Sequence, residues 1–145
     1  MIQTILAAVD TSHRAPGVLA AAREVGARFG ARIHVYRAVY VPPDIPAAAH
    51  SDDDRGASRL EDLAAKDLAI LIGGAHDVVV EPPEMSNIPP WRAILAAAAR
   101  LDVDLIVIGS HGYGGLDRFL GTNAARVVNY GDRSVLVVHD RIRSR

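Results

Sequence analysis

Residues 103–123, VDLIVIGSHGYGGLDRFLGTN, decide which fold the sequence predicts. Val103 to Ile108 is almost entirely apolar, which is typical of a central parallel strand covered on both faces. A segment with five glycines follows, from Gly109 to Gly121, and Thr122 opens a predicted helix that ends near Tyr130. The stretch therefore predicts a buried strand, a glycine-rich loop and a helix in direct succession.

The same alternation of strand and helix extends over the rest of the chain. The first helix is predicted to start at the capping residue Ser12, to carry Pro16 in its first turn and to end at Gly30. The remaining predicted elements are the strands Ile2–Val9, Arg32–Val41, Asp77–Glu81 and Ser134–His139 and the helices Arg59–Leu71 and Pro90–Leu101. This order predicts one α/β domain over residues 1–145, doubly wound, with a parallel sheet and helices on both faces.

Some segments between and within these elements are compatible with more than one role. Proline-containing stretches at 42–58 and 82–90 are predicted to be loops. Asp52, Asp53 and Asp54 could bind a divalent cation, although a solvated loop and helix start explains them as well. Trp91 could stack on a ligand, but its helical spacing favours packing. The second helix is predicted to bury one stripe, formed by Leu60, Leu63, Ala64, Leu68 and Leu71.

Composition limits the class of protein. The chain has 145 residues, 50% of them hydrophobic, no cysteine and a formal net charge of −1. The absence of cysteine excludes disulfides, thiolate catalysis and zinc–thiolate or iron–sulfur sites. The balanced charge argues against a general nucleic-acid binder, and no stretch approaches the length of a membrane helix. We expect a cytoplasmic protein without a signal peptide.

The glycine-rich loop and the helix after it are suited to an anion. A helix N-terminus presents unpaired N–H groups and a partial positive charge, and glycines let the backbone approach a phosphate closely. The Thr122 hydroxyl could donate to a phosphate oxygen or cap its own helix. Asp10, at the end of the first strand, could accept hydrogen bonds from a sugar or a base, or could instead start the following turn.

The sequence resembles the universal stress protein family. The resemblance rests on four blocks, which are the Asp-x-Ser start at 10–12, the Pro-Trp-x-x-Ile pattern at 90–94, DLIVIGSHG at 104–112 and SVLVV at 134–138. It implies a five-stranded parallel sheet of order 3-2-1-4-5. It also implies a homodimer formed through the last strands and, in some members, ATP in the cleft above strands one and four.

The resemblance also implies which residues contact the nucleotide. ATP-binding members carry the pattern Gly-x2-Gly-x9-Gly-Ser/Thr, and the matching residues here are Gly109, Gly112, Gly121 and Thr122. Eight residues rather than nine separate Gly112 from Gly121, so the loop is one residue shorter than the pattern. By the same comparison Asp10 would face the adenine or the ribose, and Ala38 and Ile108 would line the adenine pocket.

The function that follows is regulation by a bound adenine nucleotide, ATP with or without Mg²⁺, and with little or no catalysis. The Walker A loop and the strict dinucleotide-binding glycine pattern are both missing. A weak ATPase would need a group that activates water, and the sequence offers only His111 and Asp10 for that role. Arg118 in the loop is a further possible phosphate ligand. The alternative is a dimeric stress protein that binds no nucleotide and acts through protein partners.

Overall fold

The computed structural model of the chain describes residues 1–41, 54–110 and 122–139, with the backbone alone for 54–58 and 122. Asp52 and Asp53 of the acidic triplet, which could bind a cation or belong to a solvated loop and helix start, lie outside these ranges. The strands are β1 (Thr4–Ala8), β2 (Arg32–Tyr36), β3 (Ala38–Tyr40), β4 (Val79–Val80), β5 (Glu84–Ser86), β6 (Leu105–Gly109) and β7 (Ser134–Val138). The helices are α1 (Ala15–Phe29), α2 (Asp54–Ile72), α3 (Pro90–Arg100) and α4 (Thr122–Tyr130).

The main sheet has five strands in the order β4-β2-β1-β6-β7, and every adjacent pair is parallel. Numbered within this sheet, the order is 3-2-1-4-5, which confirms the arrangement that the family resemblance implied. In the centre, Ala8 of β1 lies between Tyr36 of β2 and Ile108 of β6. After β1, the chain adds β2 and β4 on one side of this strand and then β6 and β7 on the other. Ligands of such sheets bind at the carboxyl ends of the strands, at the point where the strand order changes direction.

Successive side chains of each central strand point to opposite faces of the sheet, and each face packs against its own pair of helices. The core on the α1 and α2 side includes Ile5, Ala7, Val18, Leu19, Val35, Leu68 and Val107. The core on the α3 and α4 side includes Leu6, Ala8, Tyr36, Ile94, Ala97, Ile106 and Val127. Helices therefore cover both faces, as predicted.

The ends of α1 confirm the sequence analysis only in part. Pro16 lies in the first turn, and Gly30 ends the helix in the left-handed conformation with φ of 65°. Ser12 is not the N-cap, so that prediction was wrong. The N-cap is Arg14, which makes no side-chain capping bond. The Ser12 hydroxyl accepts a hydrogen bond from the Arg14 N–H (3.3 Å) and so stabilises the turn before the helix.

Helix α2 is longer than predicted and buries a narrower stripe. It begins at Asp54 rather than at Arg59. Leu60 and Leu63 are 46% and 48% exposed, so their predicted burial was wrong. The buried residues Ala64, Leu68 and Ile72 follow each other at intervals of four and face the sheet, and Leu71 is partly buried against the same core.

A small second sheet replaces part of two predicted segments. The predicted strand Arg32–Val41 divides at Arg37, and β3 pairs in parallel with β5, which forms inside the predicted 82–90 loop. Pro82 and Pro83 directly follow Glu81 and lack the N–H groups that a sheet needs. The segment that follows β4 therefore cannot pair with the chain beyond Tyr36 and extend the main sheet.

No helix within the described ranges is long and apolar enough to cross a bilayer.

Candidate functional site

The carboxyl ends of β1 and β6 open onto a cleft of about 130 Å³ at the point where the sheet reverses direction. Four residues predicted from the sequence meet in it, although up to about a hundred positions of sequence separate them. They are Asp10 after β1, Ala38 at the start of β3, Ile108 in β6 and Gly109 at the end of β6. Gly112 and Gly121 lie outside the described residues, as do His111 and Arg118.

The walls of the cleft are mostly apolar. Ala8 and Ile108 form the sheet side, Ile94 and Pro90 come from α3, and Tyr36 is fully buried at the end of β2. A concave apolar surface with a few convergent polar groups is typical of a small-molecule site. The backbone of Thr122 starts α4, and the next residue, Asn123, lines the cleft, so the first turn of α4 borders the site.

Asp10 makes the turn-forming contact that was one of its two possible roles, and it also lines the cleft. Its carboxylate oxygen Oδ1 accepts a hydrogen bond from the backbone N–H of Ser12 (2.8 Å), which is the turn-forming interaction. The residue is only partly buried and lines the cleft. The turn thus holds the carboxylate at the cleft wall, where it could accept a hydrogen bond from a hydroxyl or an amine.

Gly109 serves close packing rather than an unusual backbone conformation. It does not adopt the left-handed conformation, which among the glycines of the described ranges occurs at Gly30, Gly73 and Gly74. A Cβ added at Gly109 would lie 3.2 Å from Cγ2 of Val18 on α1. Glycine therefore lets α1 approach the end of β6 closely and keeps the cleft open beside it.

Arg14 is a cleft residue that the sequence analysis missed. Its Nη1 donates a hydrogen bond to the backbone carbonyl of Ser110, the residue that directly follows β6. Among the described residues that line the cleft, Arg14 carries the only positive charge and Asp10 the only negative one. Its position two residues after the turn at Ser12 gives no periodic signal, so the sequence alone could not distinguish it from a surface arginine.

Tyr36 is the second residue that the sequence analysis missed. Its hydroxyl donates to Oε2 of Glu84 in β5 (3.2 Å), and Arg100 of α3 pairs with Oε1 of the same carboxylate (2.8 Å). Burial of the ring, followed by the charge of Glu84, raises the pKa of Tyr36 above its usual value. The group is therefore neutral at physiological pH and acts as a hydrogen-bond donor.

Trp91 packs between α3 and α4, which confirms the packing interpretation. Its ring stacks on Tyr130 with a centroid distance of 5.2 Å, and the guanidinium groups of Arg92 and Arg126 lie 5.1 and 5.7 Å from its centroid. The residue is partly buried against the core on that side of the sheet.

Within the described ranges, no cluster of three or more histidine or acidic side chains is arranged to hold a metal ion.

Comparison with known proteins agrees with this architecture. The model of the universal stress protein family matches residues 1–139. The chain belongs to the universal stress protein family. A curated relative, universal stress protein A homolog 1 of Coxiella burnetii, is 30% identical over 143 residues, which cover 92% of this chain and 94% of that protein.

Solved universal stress proteins have the same fold. One, determined in complex with cAMP, superposes with a TM-score of 0.63 at 23% identity, covering 97% of this chain and 99% of the other. A second structure, that of the hypothetical protein MJ0577, gives a TM-score of 0.73 at 22% identity, with coverage of 97% of this chain and 98% of the other. At these identities the similarity concerns the fold.

Proposed function

We propose that the chain is a regulatory protein that binds an adenine nucleotide, ATP in particular, in the cleft at the ends of β1 and β6. The observation that carries the proposal is the meeting of Asp10, Ala38, Ile108 and Gly109 at one cleft. Apart from Thr122, of which the backbone alone is described, these are the described positions at which the family pattern predicts nucleotide contacts. The cAMP complex of a universal stress protein supports an adenine ring as the ligand of this fold.

The chemistry of the cleft divides between the two ends of such a ligand. Ala8, Ala38 and Ile108 offer apolar surface to a flat heterocycle, and the Asp10 carboxylate accepts hydrogen bonds from ribose hydroxyls or the base amine. The first turn of α4 provides N–H groups for phosphate. Binding rather than turnover is the proposed activity, since no base–nucleophile pair is evident among the described cleft residues.

We also propose that the protein acts as a cytoplasmic homodimer joined through β7. Among the described residues, this strand pairs with β6 on one side and with no strand on the other, and Leu136 at its middle is 37% exposed. An unpaired strand edge with an exposed aliphatic side chain can pair with the same edge of a second copy.

The test is isothermal titration of the purified protein with ATP and Mg²⁺, combined with mass spectrometry of any ligand released on denaturation. Two variants separate the roles of Asp10. Asp10→Asn keeps an oxygen that can accept the Ser12 N–H, whereas Asp10→Ala removes it. In each variant, we expect the affinities for adenosine, AMP and ATP to fall by a similar factor, because the carboxylate contacts the nucleoside that all three ligands share.

Two outcomes would contradict the proposal. A selective loss of ATP binding in Asp10→Asn would place the carboxylate at the wrong end of the ligand. A wild-type protein that is empty and ignores every adenine nucleotide would favour the alternative, a dimer that acts through protein partners alone. Gly121→Val, at the position that the family pattern assigns to phosphate, should abolish ATP binding without unfolding the chain.

A further inference from the structure

Arg14 reaches across the cleft from one loop to the other. It directly precedes α1, and its guanidinium donates to the carbonyl of Ser110, where the chain leaves β6 toward the glycine-rich segment. Its Cβ lies close to the position that a Cβ on Gly109 would take (3.9 Å). The residue is partly buried and lines the cleft.

The stability of α1 does not explain a cation at this position. A helix N-terminus carries a partial positive charge, which disfavours arginine there and favours acidic side chains. The first turn of α1 contains no acidic residue, and Arg14 makes no capping bond through its side chain. A bound anion beside Arg14 would interact favourably with both the guanidinium and the helix terminus.

We propose that Arg14 selects phosphorylated adenine nucleotides over adenosine by binding their phosphate, an inference that rests on the proposed function of the cleft. A phosphate oxygen is a stronger acceptor for a guanidinium than a neutral peptide carbonyl, because the hydrogen bond is then charge-assisted. On binding, the guanidinium moves from the Ser110 carbonyl to the phosphate or bridges the two. Asp10 recognises the nucleoside, and Arg14 recognises the charge attached to it.

The experiment compares the affinities of adenosine, AMP and ATP for wild type, Arg14→Gln and Arg14→Lys at one ionic strength. Arg28→Gln is the matched control, because Arg28 lies near the other end of α1 and, within the described part of the chain, pairs with the exposed Glu24 alone (3.3 Å). We expect Arg14→Gln to weaken AMP and ATP about tenfold, the effect of losing one charged hydrogen bond. Adenosine should change less than about twofold, and Arg14→Lys should fall between wild type and Arg14→Gln.

The possible failures are distinguishable. If the wild type binds no adenine compound, the proposed function is wrong and this inference with it. If the wild type binds nucleotides and Arg14→Gln keeps the same ratio of ATP to adenosine affinity, the inference alone is wrong. An equal loss of adenosine and ATP in Arg14→Gln, with unfolding temperature unchanged, also overturns it, because Arg14 would then only shape the loop.

Discussion

The hydroxyl of Tyr36 donates to Glu84 (3.2 Å) and so connects the buried floor of the cleft to the small second sheet. Tyr36 ends β2 of the main sheet, whereas Glu84 begins β5 and also pairs with Arg100 at the end of α3. One carboxylate thus joins a strand of each sheet to a helix. The shape of the cleft depends on this junction, because β3, which supplies Ala38, is held by β5.

Tyr36→Phe should destabilise the protein by about 1 kcal/mol, the usual net contribution of one hydrogen bond, because the ring continues to fill its site. Glu84 keeps its Arg100 partner, so no carboxylate is left unpaired. Urea unfolding monitored by circular dichroism measures the change. Tyr40→Phe, which removes the hydroxyl of a 44% exposed side chain, is the control, and an equal loss in both variants would refute the argument.

The raised pKa of Tyr36 predicts a loss of stability in alkali. A group whose pKa is higher in the folded state contributes stability below its unfolded pKa of about 10, and this contribution is lost as the pH rises beyond that value. Because its pKa is raised, Tyr36 stays neutral in the folded protein while exposed tyrosines ionise. The rise in phenolate absorbance up to about pH 11 should therefore be equally large in wild type and in Tyr36→Phe. A larger amplitude in the wild type within that range would show that Tyr36 ionises normally.

Gly109→Ala should cost about 1 kcal/mol or more, because its Cβ would lie only 3.2 Å from Val18 Cγ2 in a packed region. Val18→Ala removes that methyl group, so the double variant should lose less stability than the sum of the two single changes. The control is Gly17→Ala on α1, where a Cβ meets nothing within 4 Å, and which should stabilise the helix by about 0.5–1 kcal/mol. Strict additivity at Gly109 and Val18 would contradict the packing role.

Asp104→Asn should lower the unfolding temperature at neutral pH. Its carboxylate accepts the N–H groups of Gln3 (2.7 Å) and Thr4 (2.9 Å), and these bonds hold its pKa below the usual 3.8. A lowered pKa in the folded state gives stability that is complete above about pH 4 and is lost as the pH falls through the lowered value. The difference in unfolding temperature between wild type and Asp104→Asn should therefore become smaller as the pH falls below about 4.

Asp102→Asn makes the same charge change two residues earlier, on a side chain that is 99% exposed and pairs with Arg133 at 3.7 Å, and should change the unfolding temperature at neutral pH much less than Asp104→Asn does. A gap between wild type and Asp104→Asn that widens in acid would reverse the sign of the linkage and refute the prediction.

Leu136→Lys should convert the proposed dimer to a monomer, because a lysine in the middle of an edge strand opposes pairing with a second edge. Light scattering after size-exclusion chromatography gives the mass directly. Ile70→Lys on α2 is the control, since Ile70 is 79% exposed and lies away from β7. A wild type that is already monomeric, or dimers in both variants, would exclude β7 as the interface.

The main sheet was predictable because its strands are separated by clear helical periodicity, and the family resemblance supplied their order. The β3–β5 sheet was not, because each strand has only three residues and β5 follows two prolines. Such short pairings depend on tertiary contacts, here the Tyr36–Glu84 bond, that leave no local pattern.

The cleft was predictable to a similar extent. Asp10, Ala38, Ile108 and Gly109 were expected to line it and do so. Arg14 was missed because a helix terminus is an unfavourable place for a cation, so its position follows no propensity rule. Gly109 was expected to let the backbone approach a phosphate closely, and the structure shows that its missing side chain also gives Val18 of α1 the room to pack there.

Trp91 gives the molecule an intrinsic optical reporter. It is the single tryptophan of the chain, it is bonded to Pro90 in the cleft wall, and it stacks on Tyr130 of the helix whose first turn borders the site. Any change in the spacing of α3 and α4 must alter the surroundings of its indole. Ligand titrations can therefore be followed by emission from the unlabelled wild-type protein, at concentrations too low for calorimetry.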